Sequence, residues 1–405
     1  MAVGLSQPEK LIPVAGVQLA TTACGIRKNG KDDVVLITLD EGSHCAAVFT
    51  TNAFCAAPVV VAKKHLQTTA PRALLINAGN ANAGTGKPGM QDAEQSCAWV
   101  AAELGCRATE VLPFSTGVIG EPLPMQKMHN GIRAAAAGLS ADTWMQSAAG
   151  IMTTDTVAKT VSKQIKLDDI TITISGFAKG SGMICPNMAT MLGYVFTDAV
   201  VEPGMLQSML TSAVNKSFNA ITVDGDTSTN DACVLAATGK AGNEIISTNS
   251  KAASAFSDAL DAVCIALAQQ IVRDGEGATK FISVNVQTAA GVDEARQVAY
   301  TIAHSPLVKT AFFASDPNWG RILAAVGRAG LDKLDVDKID IYLDDVCIVK
   351  AGQRDAHYTE AQGQRVMHQQ DISINVLLQR GDARATVWTT DLSHDYVRIN
   401  AEYRT

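Results

Sequence analysis

Residues 179–192 read KGSGMICPNMATML and place a small residue, Ala189, directly before a hydroxyl, Thr190. A threonine hydroxyl is a weak nucleophile unless a base stands beside it. When threonine is the first residue of a chain, its own α-amine supplies that base, since its pKa of about 7.7–8.0 lies close enough to neutral pH to leave part of it unprotonated. Such an arrangement needs the Ala189–Thr190 bond to be cut, and the threonine can cut it unaided. Its hydroxyl attacks the Ala189 carbonyl, the acyl group passes from nitrogen to oxygen, and water hydrolyses the ester. Ala189 hinders that attack little, and Gly180 and Gly182 permit a tight backbone ahead of it. As residues alone, a plainer reading stands beside this one: Thr190 as a packing residue in a strand, MATMLGYVFTD.

Other loops imitate chemistry without its full pattern. A phosphate loop needs G-x-x-x-x-G-K followed by a hydroxyl. Near Lys179 the lysine precedes the glycines, and in ANAGTGKP (81–88) Ala81 and Pro88 stand where a glycine and a hydroxyl belong. DGDTSTND (224–231) has the opening carboxylates of a calcium loop but lacks its glycine and closing glutamate. Those aspartates read as turn caps or as support for a site. No histidine sits in a nucleophile motif.

The elements that must position these loops can be read from pattern. VVLITLD (34–40), CAAVFTTN (45–52) and ALLINAG (73–79) read as strands, and ITITIS (170–175) alternates as a half-buried strand would. QDAEQSCAWVAAELG (91–105), EPGMLQSMLTSAVNKSF (202–218) and KAASAFSDALDAVCIALAQQIVRDG (251–275) carry helical spacing. KIDIYL (338–343), ISINVLL (372–378), ARATVWTT (383–390) and YVRINAEY (396–403) make the last third strand-rich. Strands and helices mixed without regular βαβ alternation predict an α+β fold of layers, not a doubly wound sheet.

Composition bounds the rest. With 405 residues, 47% hydrophobic and 18% charged, the chain can bury a large layered core or two domains. A net charge of −7 and the lack of any Lys/Arg run argue against a nucleic-acid surface. No run of about 18 uninterrupted apolar residues predicts a membrane span, and the first residues show no basic start and apolar core of a signal peptide. Nine scattered cysteines without C-x-x-C read as reduced cytosolic thiols, Cys185 among them as a buried one.

KGSGMICPNMATML closely resembles the self-processing motif of the ornithine acetyltransferase family, the bifunctional glutamate N-acetyltransferases of arginine biosynthesis. NAGNANAGTG (77–86), STGVIG (115–120), TTDT (153–156), SFNAITVDGDTSTND (217–231), RDGEGATK (273–280), SDPNWGRI (315–322) and RINAEYRT (398–405) are similar to that family as well. The resemblance implies mixed sheets between helices and cleavage into an α chain, 1–189, and a β chain, 190–405, assembled as an α2β2 heterotetramer in the cytoplasm. It implies transfer of acetyl from N-acetylornithine to Thr190 and on to glutamate, with no cofactor. Acetyl-coenzyme A as a second donor is left open. Thr116 and Gly117 would form the oxyanion hole, and Thr153, Lys179, Thr190, Glu276, Asn400 and Thr405 would contact substrate. Two alternatives remain at this level: a self-processing aminopeptidase or amidohydrolase that gives its acyl group to water, and a non-catalytic amino-acid-binding module. The Asp316–Arg321 stretch receives no role.

Overall fold

The computed structural model describes residues 2–5, 7–185 and 191–402. Ala189, Thr190 and Thr405 lie outside the described residues. The chain divides into two compact units: residues 7–219 with 226–271, and residues 1–6 with 220–225 and 272–405.

The first unit is built on two mixed sheets. Strands β1 (Val17–Thr22), β2 (Val34–Leu39), β3 (His44–Phe49), β4 (Ala73–Asn80), β5 (Val111–Val118), β6 (Lys159–Leu167), β7 (Ile170–Lys179), β8 (Leu192–Thr197) and β9 (Ala232–Ala237) form them. One sheet has the order β1-β2-β4-β5 and the other β3-β9-β8-β7-β6. β4 and β5 run parallel, as do β8 and β9, and the remaining pairs are antiparallel. The sheets share one apolar core, with Ile37, Ile76 and Phe114 from one and Phe177, Tyr194 and Phe196 from the other. Phe114 meets Tyr194 edge-on at 5.4 Å between ring centres.

Helices cover the outer faces. Helix α1 (Ala57–Thr68), α2 (Gly86–Leu104) and α3 (Met125–Ala137) bury a second core on the β1-β2-β4-β5 side. α4 (Trp144–Gly150) adds Trp144 and Ala148 to the shared core. α5 (Pro203–Lys216) carries its proline in the first turn, where the missing N–H costs nothing. α6 (Ala252–Arg273) is long and apolar enough to cross a membrane by length and composition. Its Phe256, Leu260, Val263, Leu267 and Ile271 are nevertheless fully buried at helical spacing, and Leu267 comes within 3.2 Å of where a Cβ on Gly176 of β7 would stand. β7 also differs from the expected half-buried strand: Thr173 and Ser175 are buried along with Ile172 and Ile174, on the opposite face, which carries Phe177 into the shared core and where the Ser175 Oγ donates to the Ile12 carbonyl at 2.6 Å.

The second unit holds a six-stranded sheet of β10 (Phe281–Ala289), β11 (Asp340–Leu343), β12 (Val346–Lys350), β13 (Gln353–Arg354), β14 (Asp371–Leu377) and β15 (Ala383–Thr390), in the order β13-β12-β11-β14-β10-β15. α7 (Val292–Ala303), α8 (Pro306–Phe313), α9 (Trp319–Gly327) and α10 (Glu360–Met367) add their apolar faces to its core. The expected strand at 396–403 is instead helix α11 (His394–Ala401). Ser393 decides it: its hydroxyl accepts the Tyr396 N–H as an N-cap, and Asp395 sits in the first turn.

Candidate active site

Strand ends bring the first group of residues together. Thr116 and Gly117 stand just before Val118, the last residue of β5, and β7 ends with Lys179. The Lys179 Nζ donates to the Thr116 Oγ1 at 3.1 Å, tying the two facing sheets where β7 leads into the β7–β8 connection that holds Ala189 and Thr190. Gly117 is required by position. Its φ is +133°, and a Cβ there would lie 2.3 Å from the Gly79 carbonyl carbon. Asn230 braces the same place, its Nδ2 donating to the Ser115 carbonyl at 3.0 Å and the Ala81 carbonyl at 2.5 Å.

Two buried carboxyls interact with Lys179, and their environments push them opposite ways. Asp155, from the TTDT loop, accepts from the Lys159 Nζ at 2.5 Å, from the Gly180 N–H at 2.7 Å and from the Thr153 N–H at 2.9 Å. Burial alone would raise its carboxyl, but the Lys159 and Lys179 charges and these hydrogen bonds outweigh burial and hold it well below the usual carboxylate range. Asp231, just ahead of β9, is raised well above that range by burial. Hydrogen bonding from Ser228 and the Met191 N–H, and the Lys179 charge, oppose burial without overcoming it. Its Oδ2 has no hydrogen-bond partner among the described residues. The Lys179 charge thus acts on one carboxyl held low and another pushed up, a divergence typical of functional sites.

The second unit gathers another pair. Glu276 is 8% exposed, and its Oε2 accepts from the Asn400 Nδ2 at 2.8 Å. Tyr396 and Asn400 are one turn apart on α11, so the helix aims the amide at the carboxylate. Gly277 lets the Glu276 loop approach that helix: a Cβ there would lie 2.5 Å from the Tyr396 nitrogen. Asp224 accepts from the Tyr396 hydroxyl at 3.3 Å.

Thr116, Gly117, Thr153 and Lys179 are therefore brought into one neighbourhood of the first unit, and Glu276 and Asn400 into contact in the second. Asp155 and Asp231 were not assigned roles from sequence. Asp155 lies inside the TTDT motif and Asp231 closes the DGDTSTND stretch, but only burial distinguishes them from turn-capping aspartates. No group of three or more His, Cys, Asp or Glu able to hold a metal occurs among the described residues.

A layered α+β sandwich with a hydroxyl, an ammonium and two unlike carboxyls at adjoining strand ends is a scaffold suited to acyl transfer. The chain belongs to the ArgJ family, whose sequence model matches residues 18–405. It is 56% identical over the full length of both chains to the arginine biosynthesis bifunctional protein ArgJ of Pseudomonas fluorescens. It is 59% identical to that of Methylococcus capsulatus, over 98% of this chain and 97% of the relative. Among solved structures it is similar to arginine biosynthesis bifunctional protein ArgJ from Bacillus halodurans, with 43% identity and a TM-score of 0.51, over 52% of this chain and 99% of that one.

Proposed function

We propose that this chain transfers acetyl from N-acetylornithine to glutamate through an acetyl ester on Thr190, made available as an amino-terminal nucleophile by cleavage after Ala189. As a member of the ArgJ family it is an acyltransferase of arginine biosynthesis. The observation that carries the catalytic reading is the Lys179–Thr116 hydrogen bond near the ends of β7 and β5, beside a position, Gly117, that the Gly79 backbone keeps free of a side chain of its own.

In this reading, the Thr190 hydroxyl gives its proton to the α-amine and attacks the acetyl carbonyl. The Thr116 hydroxyl and Gly117 N–H receive the oxyanion, a task in which one donor is worth about 3–4 kcal/mol. Ornithine leaves with the proton, glutamate attacks the ester, and the threonine is restored. Lys179 and Thr153 take the substrate carboxylate, and Glu276, Asn400 and Thr405 take the ornithine end. Cleavage falls between β7 and β8, which remain paired from Ile174–Thr197 to Lys179–Leu192, so the products stay joined by the sheet. The solved relative supports such a division, since 99% of its chain is matched by just over half of this one. Assembly as α2β2, work in the cytoplasm and the absence of a cofactor belong to the same proposal, with acetyl-coenzyme A as an additional donor. Full-length identity above half to arginine-biosynthesis proteins favours glutamate over water as acceptor, and transfer over mere binding.

Kinetics test it. Initial rates with acetylornithine varied at several glutamate concentrations should give parallel double-reciprocal lines, and the fragment starting at Thr190 should gain the mass of one acetyl group from acetylornithine alone. Intersecting lines with no adduct would rule out the covalent route.

A further inference from the structure

The pairing of β4 with β5 slips where Thr116 and Gly117 lie. The parallel register runs regularly from Ala73 beside Val111 to Gly79 beside Gly117, and then Asn80 pairs with both Thr116 and Val118. Irregularities of this kind are uncommon in parallel pairs and gather beside active sites. Past a slip the ladder no longer fixes each peptide plane, so other groups must hold it. β5 is also the edge strand of its sheet.

Asn230 supplies that hold from the other sheet. It stands in the loop ahead of β9 and is 5% exposed. Its Nδ2 donates to the Ser115 carbonyl before the slip and to the Ala81 carbonyl after it. Two carbonyl acceptors settle which end of the amide is nitrogen. The Thr229 hydroxyl donates to the Oδ1 at 2.6 Å and keeps the amide so turned. The Ser115 carbonyl shares its peptide group with the Thr116 N–H, so this bond sets the plane from which the Thr116 side chain departs. The next residue carries a second bond across the sheets, from Lys179 to Thr116. Beyond Gly117 the strands rejoin, the Ala81 N–H donating to the Val118 carbonyl at 2.9 Å. The Thr116–Gly117 segment is thus held at both ends, and Asn230 touches both strands that hold it.

We propose that Asn230 is a positioning residue for the Thr116–Gly117 segment, its two N–H groups keeping the Thr116 hydroxyl and the Gly117 N–H aimed at one point. This rests on the reading of those groups as the oxyanion donors. Such donors act through preorganisation, and a displacement of about 1 Å can cost about a hundredfold in rate. Asn230 gives both N–H groups to backbone carbonyls, so its loss should fall on kcat rather than on KM.

The test makes Asn230→Leu, close in volume but without donors, and Asn230→Ala in the full-length protein, each alone and combined with Thr116→Ala. Values of kcat and KM are measured on the cut fraction. Both single variants should stay folded by circular dichroism and lose about tenfold to a hundredfold in kcat, with KM within about threefold of wild type. Because they act through Thr116, the double variants should fall short of the product of the single losses by at least about fivefold. Asn230 variants with kcat within about threefold of wild type would overturn the proposal, as would a loss confined to KM or losses that multiply in the double variants. So would failure of both variants to fold, which would make Asn230 a brace of the fold alone. Failure to cut that is shared with Thr116→Ala counts for the proposal, and failure to cut where Thr116→Ala cuts counts against it. Thr116→Ala alone separates the two readings: a wild-type kcat there fails the oxyanion assignment, whatever Asn230 does, whereas a loss there beside unimpaired Asn230 variants fails the positioning role alone.

Discussion

Lys179 and Lys309 are both lysines held among carboxyls and hydroxyls, one in each unit, and they illustrate two uses of polar burial. Lys309 is wholly satisfied. Its Nζ donates to the Thr389 Oγ1 at 3.0 Å and to the Thr390 carbonyl, and Asp391 beside it accepts from the Thr279 and Lys280 N–H groups. These contacts fasten the end of β15 to the segment leading into β10. Around Lys179 the network reaches Thr116 but leaves Asp231 with an unused oxygen. A buried charge alone therefore does not mark function. Saturated bonding marks a fastening, and the bonding at the strand ends around Lys179 is not saturated among the described residues.

The comparison can be sharpened by substitution. The largest effect is expected at the strand-end site. Thr116→Ala removes a donor whose partner charge exists only in the tetrahedral state, so kcat should fall about tenfold to a thousandfold with KM little changed. Glu276→Gln should instead raise KM for acetylornithine, since the ammonium it would meet is present before and during reaction. Steady-state kinetics of both variants decide it. If Thr116→Ala raises KM with kcat intact, the oxyanion assignment is wrong and Thr116 serves only the end of β5. The cut state of Thr116→Ala must be measured too, because in the proposed scheme an uncut chain would mimic a catalytic defect.

Smaller and different in kind is the effect at Lys309. Lys309→Met leaves the Thr390 carbonyl and Asp391 without their cation and should cost about 1–3 kcal/mol of stability while kcat stays near wild type. Burial, partly offset by Asp391 and Asp224, lowers the Lys309 ammonium from its ordinary 10.5 to about 8. His304 also faces it. Between about 8 and 10.5 the unfolded chain holds that proton more tightly than the folded one, so this group makes stability rise with pH across the window. Urea titrations at pH 8 and pH 10 should show a wild-type gain that the methionine variant lacks. A kcat loss as large as that of Thr116→Ala would dissolve the contrast.

Periodicity made most of the layers legible. β2, β4, β15 and the helices at 203–216 and 252–273 lie where apolar spacing, a first-turn proline or a closing glycine puts them. YVRINAEY misleads because its alternation imitates a strand, whereas the Ser393 cap just ahead of it commits the segment to a helix and puts Tyr396 and Asn400 on one face. Long motifs, not local pattern, are what nominate Thr190, Thr116, Gly117 and Glu276 as site residues. Asp155 and Asp231 are not so nominated, since an aspartate in a Thr/Ser/Asn-rich loop reads as a turn cap until the fold shows it buried. Gly117 is nominated by its motif, but the reason a glycine is needed there, the Gly79 backbone across a parallel pair, is a contact between β4 and β5 that no local pattern encodes.

The central claim is that Thr190 becomes the first residue of a chain. Denaturing electrophoresis of the purified protein, with amino-terminal sequencing of each band, tests it most directly. Two fragments are predicted, the second beginning Thr190-Met191-Leu192, and Thr190→Ala should remain one inactive chain of 42.5 kDa. A wild-type protein that stays a single 42.5 kDa chain while fully active would contradict the account.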